Sequence, residues 1–140
     1  MANHYIESEF TYKNFRCVVV FNALNGCRCG YVEIPWYHPI ADKDYDELTD
    51  IDVHGGITFT KWKHATYPLE SKYGWIGFDC AHWDDRPDFE SWIKYCPEKR
   101  ERLETIKSVI IENKYSTIKS TEFCEEECKK IVDQLIKEVK

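Results

Sequence analysis

Two histidines and a set of carboxylates stand where strand-like runs end. Asp52-Val53-His54-Gly55-Gly56 closes one run, and Asp79-Cys80-Ala81-His82-Trp83-Asp84-Asp85 closes another. A histidine titrates near neutrality, and a neighbouring carboxylate fixes which ring nitrogen carries the proton. Strand ends let such groups converge while a sheet holds them still. His54 and Asp79 fall at the junctions flanking one expected hairpin, so a shared site of His54, Asp79 and His82 is predicted. Gly55 and Gly56 let the backbone bend and would present N–H groups to a ligand anion. The plainer alternative is a tight turn with a surface histidine. The run is shorter than a P-loop, and no Lys-Ser or Lys-Thr follows. His38, bracketed by Pro35 and Pro39, is a third candidate histidine; His4 and His64 have no supporting context.

Other chemistry is weighed on spacing. His54, Asp79, His82 and Asp84 are ligand types suited to zinc, manganese or iron. There is no His-x-x-x-His helix pair and no Cys-x-x-Cys knuckle, so neither a metal nor a cofactor is expected. Asp42-x-Asp44-x-Asp46 imitates a calcium loop but has Glu47 where glycine is needed and Val53 at the twelfth place. Cys27, Cys29, Cys124 and Cys128 are read as core residues, and Cys80 beside Asp79 as a poor nucleophile. Of the tryptophans, Trp36 and Trp83 have polar neighbours and are the ones expected at the surface, able to stack on a flat ring.

The elements that must position these groups follow from patterning. One chain of 140 residues fits a single domain, mainly β over 1–86 and mainly α over 87–140. Cys17–Phe21 is a β-branched run without polar alternation and reads as a strand buried on both faces. Asn25-Gly26 turns it back into Gly30–Ile34. Short strands are expected at Ile51–Val53 and Ile57–Trp62, then an apolar one at Tyr73–Asp79, with Trp75, Gly77 and Asp79 on one face. Gly77 is expected to leave space beside Asp79.

After Pro87 the chain reads helical. Asp88–Cys96 stops at Pro97; a second helix carries Leu103, Ile106 and Ile110; Asn113 and Ser116–Lys119 break it. The last helix is capped by Thr121 and has an apolar stripe of Cys124, Cys128, Ile131, Val132, Leu135 and Val139. The fold class is therefore α+β: an antiparallel sheet in the N-terminal two thirds, packed by C-terminal helices.

Net charge is −6, which speaks against a duplex nucleic-acid partner. No apolar run has the length of a membrane span and no signal-peptide pattern opens the chain, so no membrane partner and a cytoplasmic location are expected. Seven cysteines are then expected as thiols. Homo-oligomerisation is left open.

Three stretches, Gly30-Tyr31-Val32 with Pro35 and His38-Pro39, Asp50–Phe59 around Val53-His54-Gly55-Gly56, and Gly74–His82, resemble a family of small proteins encoded by phages and prophages. The likeness covers about residues 30–88 and about the last twenty. It implies a protein of the infected bacterial cytoplasm that counters host defence by binding a nucleotide-type immune signal, such as a cyclic dinucleotide or an ADP-ribose derivative. In that reading Gly55 and Gly56 hold phosphate, His54 and His82 contact phosphate or ribose, Trp36 or Trp83 stacks on a base, Arg86 adds a charge-assisted bond, and His38 and Asp79 complete the ligand-binding set. The alternative is a phosphodiesterase with His54 as base, His82 as acid and Asp79 as the orienting group. A third is an inhibitor of a host protein, using the acidic surface from Asp42 to Asp52.

Overall fold

The computed structural model describes residues 3–110 and 114–138. The expected break residue Asn113 and the stripe residue Val139 lie outside them. Five strands, β1 (His4–Tyr12), β2 (Phe15–Asn22), β3 (Cys27–Ile34), β4 (Phe59–Lys61) and β5 (Gly74–Asp79), form one antiparallel sheet in the order β1-β2-β3-β5-β4. Three helices follow, α1 (Phe89–Tyr95), α2 (Arg100–Val109) and α3 (Thr121–Glu138). The fold is α+β. Among the described residues no helix is long and apolar enough to cross a membrane.

The hydrophobic run of β2 is buried on both sides, as its composition requires. Cys17 and Val19 join Val32, Ile34, Ile76 and Phe78 under the stripe Cys124, Cys128, Ile131, Val132 and Leu135 of α3. Val18 and Val20 join Tyr31 and Trp75 on the opposite face, beneath Ala65, Tyr67 and Leu69 of the β4–β5 connection. Thus one helix, α3, covers one face and an irregular segment covers the other. α1 instead packs at the β2–β3 hairpin, where Tyr95 meets Phe21 and Trp92 lies against Gly26. In α2 only Leu103 is buried, and Ile110 is exposed.

Four local expectations change. The space beside Gly77 is filled by the Tyr31 ring. Ser120, not Thr121, caps α3: its hydroxyl accepts from the Phe123 N–H at 3.1 Å, and the Thr121 hydroxyl donates to Glu7 instead. Only Phe59–Lys61 of the expected 57–62 strand pairs with β5, and Thr58 extends it with a single N–H bond to the Gly77 carbonyl. Ile51–Val53 is not a strand, because its backbone finds partners on a helix. Gln134 of α3 accepts from the Asp52 N–H and donates to the Asp52 carbonyl, both at 2.8 Å, and Glu127 accepts from the His54 N–H at 2.8 Å. Side chains two helical turns apart thereby satisfy an extended segment that a ladder would otherwise have to pair.

Candidate functional site

The clamped 52–54 segment, the turn after β5 and the first turns of α3 meet at one end of the sheet. His54 and His82 face each other there, with ring centroids 5.6 Å apart. The edge of the His54 ring also meets Phe123. His54 Nε2 lies 2.9 Å from both oxygens of Asp85. An ionised carboxylate only accepts, so this nitrogen carries a proton. His82 Nε2 lies 3.1 Å from the Asp79 carbonyl oxygen and 3.3 Å from its Oδ1, which assigns the same tautomer. Among the described residues neither Nδ1 makes a hydrogen bond, and His82 is the more open of the two rings.

Asp85 is the hub. Its side chain is 1% exposed and accepts from His54, from the His82 N–H at 2.9 Å and from Lys119 Nζ at 2.9 Å. Lys119 is held in turn by the carbonyls of Asp84 and Thr117 and by the Thr117 hydroxyl. Burial pushes the Asp85 carboxyl up. The bonds from His54, Lys119 and the His82 amide outweigh it and hold the group below its ordinary value.

His54, His82 and Asp79 thus come together as expected, but the carboxylate on His54 is Asp85. Asp79 serves His82 and its own turn, accepting from the Ala81 N–H and the Thr58 hydroxyl. Asp84 contributes a backbone carbonyl rather than a carboxylate. Of the two glycines expected to cradle a phosphate, Gly56 has its N–H spent on the Val53 carbonyl at 2.9 Å, and a carboxylate, Glu127, takes the neighbouring His54 N–H. Gly55 is required for another reason. Its φ is +70°, and a Cβ there would run into the His82 ring. Gly56, at φ +79°, has open space.

These two glycines give a paired test. Gly56→Ala is expected to cost about 1–2 kcal/mol, the left-handed backbone alone. Gly55→Ala should cost about 1–3 kcal/mol more, because it also displaces His82. Denaturant unfolding of both variants checks it, and equal losses would remove the packing argument.

The remaining expected site residues separate. His38 is buried beside the far end of α3, with Nε2 3.1 Å from the Leu135 carbonyl and Nδ1 accepting from the Ile40 N–H. At 1.5 Å per residue, Leu135 is about 18 Å along the helix from Phe123, so His38 packs the core and is no part of this site. Trp36 is exposed over a different cavity, with Trp62, His64 and Lys72. Trp83 and Arg86 meet the site only through Asp85. With it, Phe89, Lys107 and Ile110 they line a cleft of about 400 Å³ whose lining includes neither histidine. The Trp83 ring is 73% exposed and meets Tyr115 edge-on, and Arg86 Nε donates to the Ser116 hydroxyl.

All seven cysteines are free and buried. Cys80 is unfit as a nucleophile because its contact with Cys124, then burial, pushes the thiol up; Asp79 adds little. Burial likewise raises Cys27 and Cys29 to about 12.

Sequence reasoning missed Asp85, Lys119 and Glu127. Asp85 lies 31 residues from His54 and Glu127 lies 73. The one local signal was the offset of three between His82 and Asp85, which lets a side chain accept from the preceding backbone N–H. Comparison with protein-family models, curated proteins and solved structures finds no match.

Proposed function

We propose that this protein holds a small nucleotide-type ligand in the cleft beside Asp85. One observation carries the reading: a cavity of about 400 Å³ shares Asp85 with the carboxylate-held histidine pair. That volume suits a small molecule. Trp83 is exposed and could stack on a base, and Arg86 and Lys107 bring positive charge to a lining that also holds the carboxylates of Asp85, Asp88 and Glu90. The resemblance to small phage proteins supports a ligand of the immune-signal type, sequestered from the host. The phosphate would rest against the cleft's cations and not against Gly56, whose N–H is already bonded to the Val53 carbonyl.

The second reading, cleavage of a phosphodiester in the same ligand, is favoured by a separate observation. Both rings are fixed through Nε2, which leaves Nδ1 of each to take or give a proton. Asp85 orients His54, and Asp79 orients His82.

The two are separated by incubating the protein with cyclic dinucleotides and ADP-ribose derivatives, then chromatographing what heat releases. For a sponge, Trp83→Ala should weaken binding by about 1–3 kcal/mol, the worth of one stacked base, and the ligand returns intact. For an enzyme a cleaved product appears, and His54→Ala should slow its formation roughly 10²–10⁴-fold while binding survives. If no candidate binds, both readings fall and the protein inhibitor acting through the Asp42–Asp52 surface takes their place.

A further inference from the structure

Two imidazoles and a buried carboxylate bring ligand atoms together. One ring nitrogen of His54, one of His82 and a carboxylate oxygen of Asp85 all lie within 4.8 Å of one another. We infer that this set binds one borderline divalent cation of the first transition row, such as Zn²⁺, Mn²⁺ or Fe²⁺.

The donor types are the first argument. Two neutral imidazoles and a carboxylate suit these metals, and calcium and magnesium prefer all-oxygen sites. The spacing is the second. Cis ligands about 2.1 Å from an octahedral cation stand about 3.0 Å apart, and trans ligands about 4.2 Å apart. His54 Nε2 is 2.9 Å from each Asp85 oxygen, the position of a nitrogen cis to both arms of a chelating carboxylate. The His82 ring is the more open of the two, its side chain 31% exposed.

Lone pairs and charge agree. Asp85 has about four acceptor positions. Lys119 and the His82 N–H take two, and the other two point at His54 Nε2. A cation on His54 Nε2 takes that lone pair once the neutral ring's proton has moved to Nδ1, and it leaves the Lys119 and His82 N–H bonds to Asp85 in place. Binding through His82 Nε2 would in addition give up its bond to the Asp79 carbonyl. Asp79, Asp85 and Glu127 bring three carboxylates to the centre; Lys119 offsets one, and Lys130 reaches Glu127 from outside at 3.9 Å. The excess is negative with both rings neutral. Glu127 supports the site from behind by fixing the His54 backbone, and Gly55 leaves the gap into which His82 fits. This departs from the expectation of no metal, which rested on sequence spacing. Spacing along the chain does not register ligands supplied by two separate loops.

The assignment does not depend on the nucleotide reading, and its test uses the metal alone. Cobalt(II) is titrated into metal-free protein and followed by visible absorption. One equivalent should bind, with weak d–d bands and no intense thiolate-to-cobalt band from the seven cysteines. Zinc should displace it. His82→Ala should weaken binding about 100-fold or more, since first-sphere loss exceeds the loss seen for outer-sphere partners. Asp84→Asn, whose carboxylate is outside the set, should bind as the wild type does. His82→Gln, close in shape, serves if circular dichroism shows the alanine variant unfolded. A thiolate band, affinity unchanged in the His82 variants, or no binding at millimolar cobalt each overturns the site.

Discussion

Asp85→Ala is expected to lower the unfolding free energy by about 3–5 kcal/mol, the usual cost of breaking a buried ion pair from one side. Its carboxylate is sealed from solvent and joins two loops to the approach of α3 through His54, His82 and Lys119. Removal leaves the Lys119 ammonium, 12% exposed, with its charge uncompensated. Pairing the change with Lys119→Met should therefore recover part of the loss, which a purely packing effect would not show. Acid gives an independent check. The folded-state value of Asp85 lies below its ordinary 3.8. Its contribution is thus complete above that range and is lost as pH falls through the depressed folded value. Asp88 behaves alike: burial raises it, but bonds from Ser91 and Arg28 bring it below 3.8. Wild-type stability should decline from about pH 4 downward. The decline should be shallower in Asp85→Ala, and equal acid slopes in chemical denaturation would count against this account.

Arg28→Met should be as damaging, again about 3–5 kcal/mol. Arg28 is 5% exposed in the middle of the molecule. Its guanidinium forks onto Glu7, with Nε 2.5 Å from Oε1 and Nη2 3.3 Å from Oε2. It also donates to Asp88 at 3.0 Å, to the Lys119 carbonyl at 3.2 Å and to the Ser91 hydroxyl at 3.1 Å. Glu7 further accepts from Tyr95 and Thr121. One arginine therefore joins β1, β3, α1 and the start of α3. Glu7 reaches it because the β1–β2 register shifts between Ile6 and Ser8, and a bulge re-aims the side chain it frees. Arg28→Lys should lose much of the same energy, because an ammonium cannot reproduce the planar fork. Thermal unfolding of both variants decides this. A lysine variant as stable as the wild type would show that charge alone suffices.

Several parts of the molecule follow from local pattern. The β-branched run of β2 has no polar face to offer water, so it had to lie inside the sheet with both faces covered. Trp75 shares a sheet face with Gly77 because side chains alternate along any strand. The stripe from Cys124 to Leu135 recurs every three or four residues, which leaves α3 only one face to bury. The convergence of His54 with His82 was expected because each follows a strand-like run, although only the run before His82 is a strand, β5.

Partner choice was settled elsewhere. Asp79, three residues before His82, is also its neighbour in space, whereas His54 takes Asp85 from across the site. Nothing in a two-residue or 3.6-residue period encodes such a contact; it depends on how α3 sets the 52–54 loop against the turn after β5. The same holds for Gly55, whose reason is a ring arriving from another loop, and for Ile51–Val53, whose backbone is satisfied by helix side chains. Chain periodicity dictates which face of an element is apolar. Polar pairing is short-ranged in space and indifferent to sequence distance, so only the packed tertiary structure could decide it.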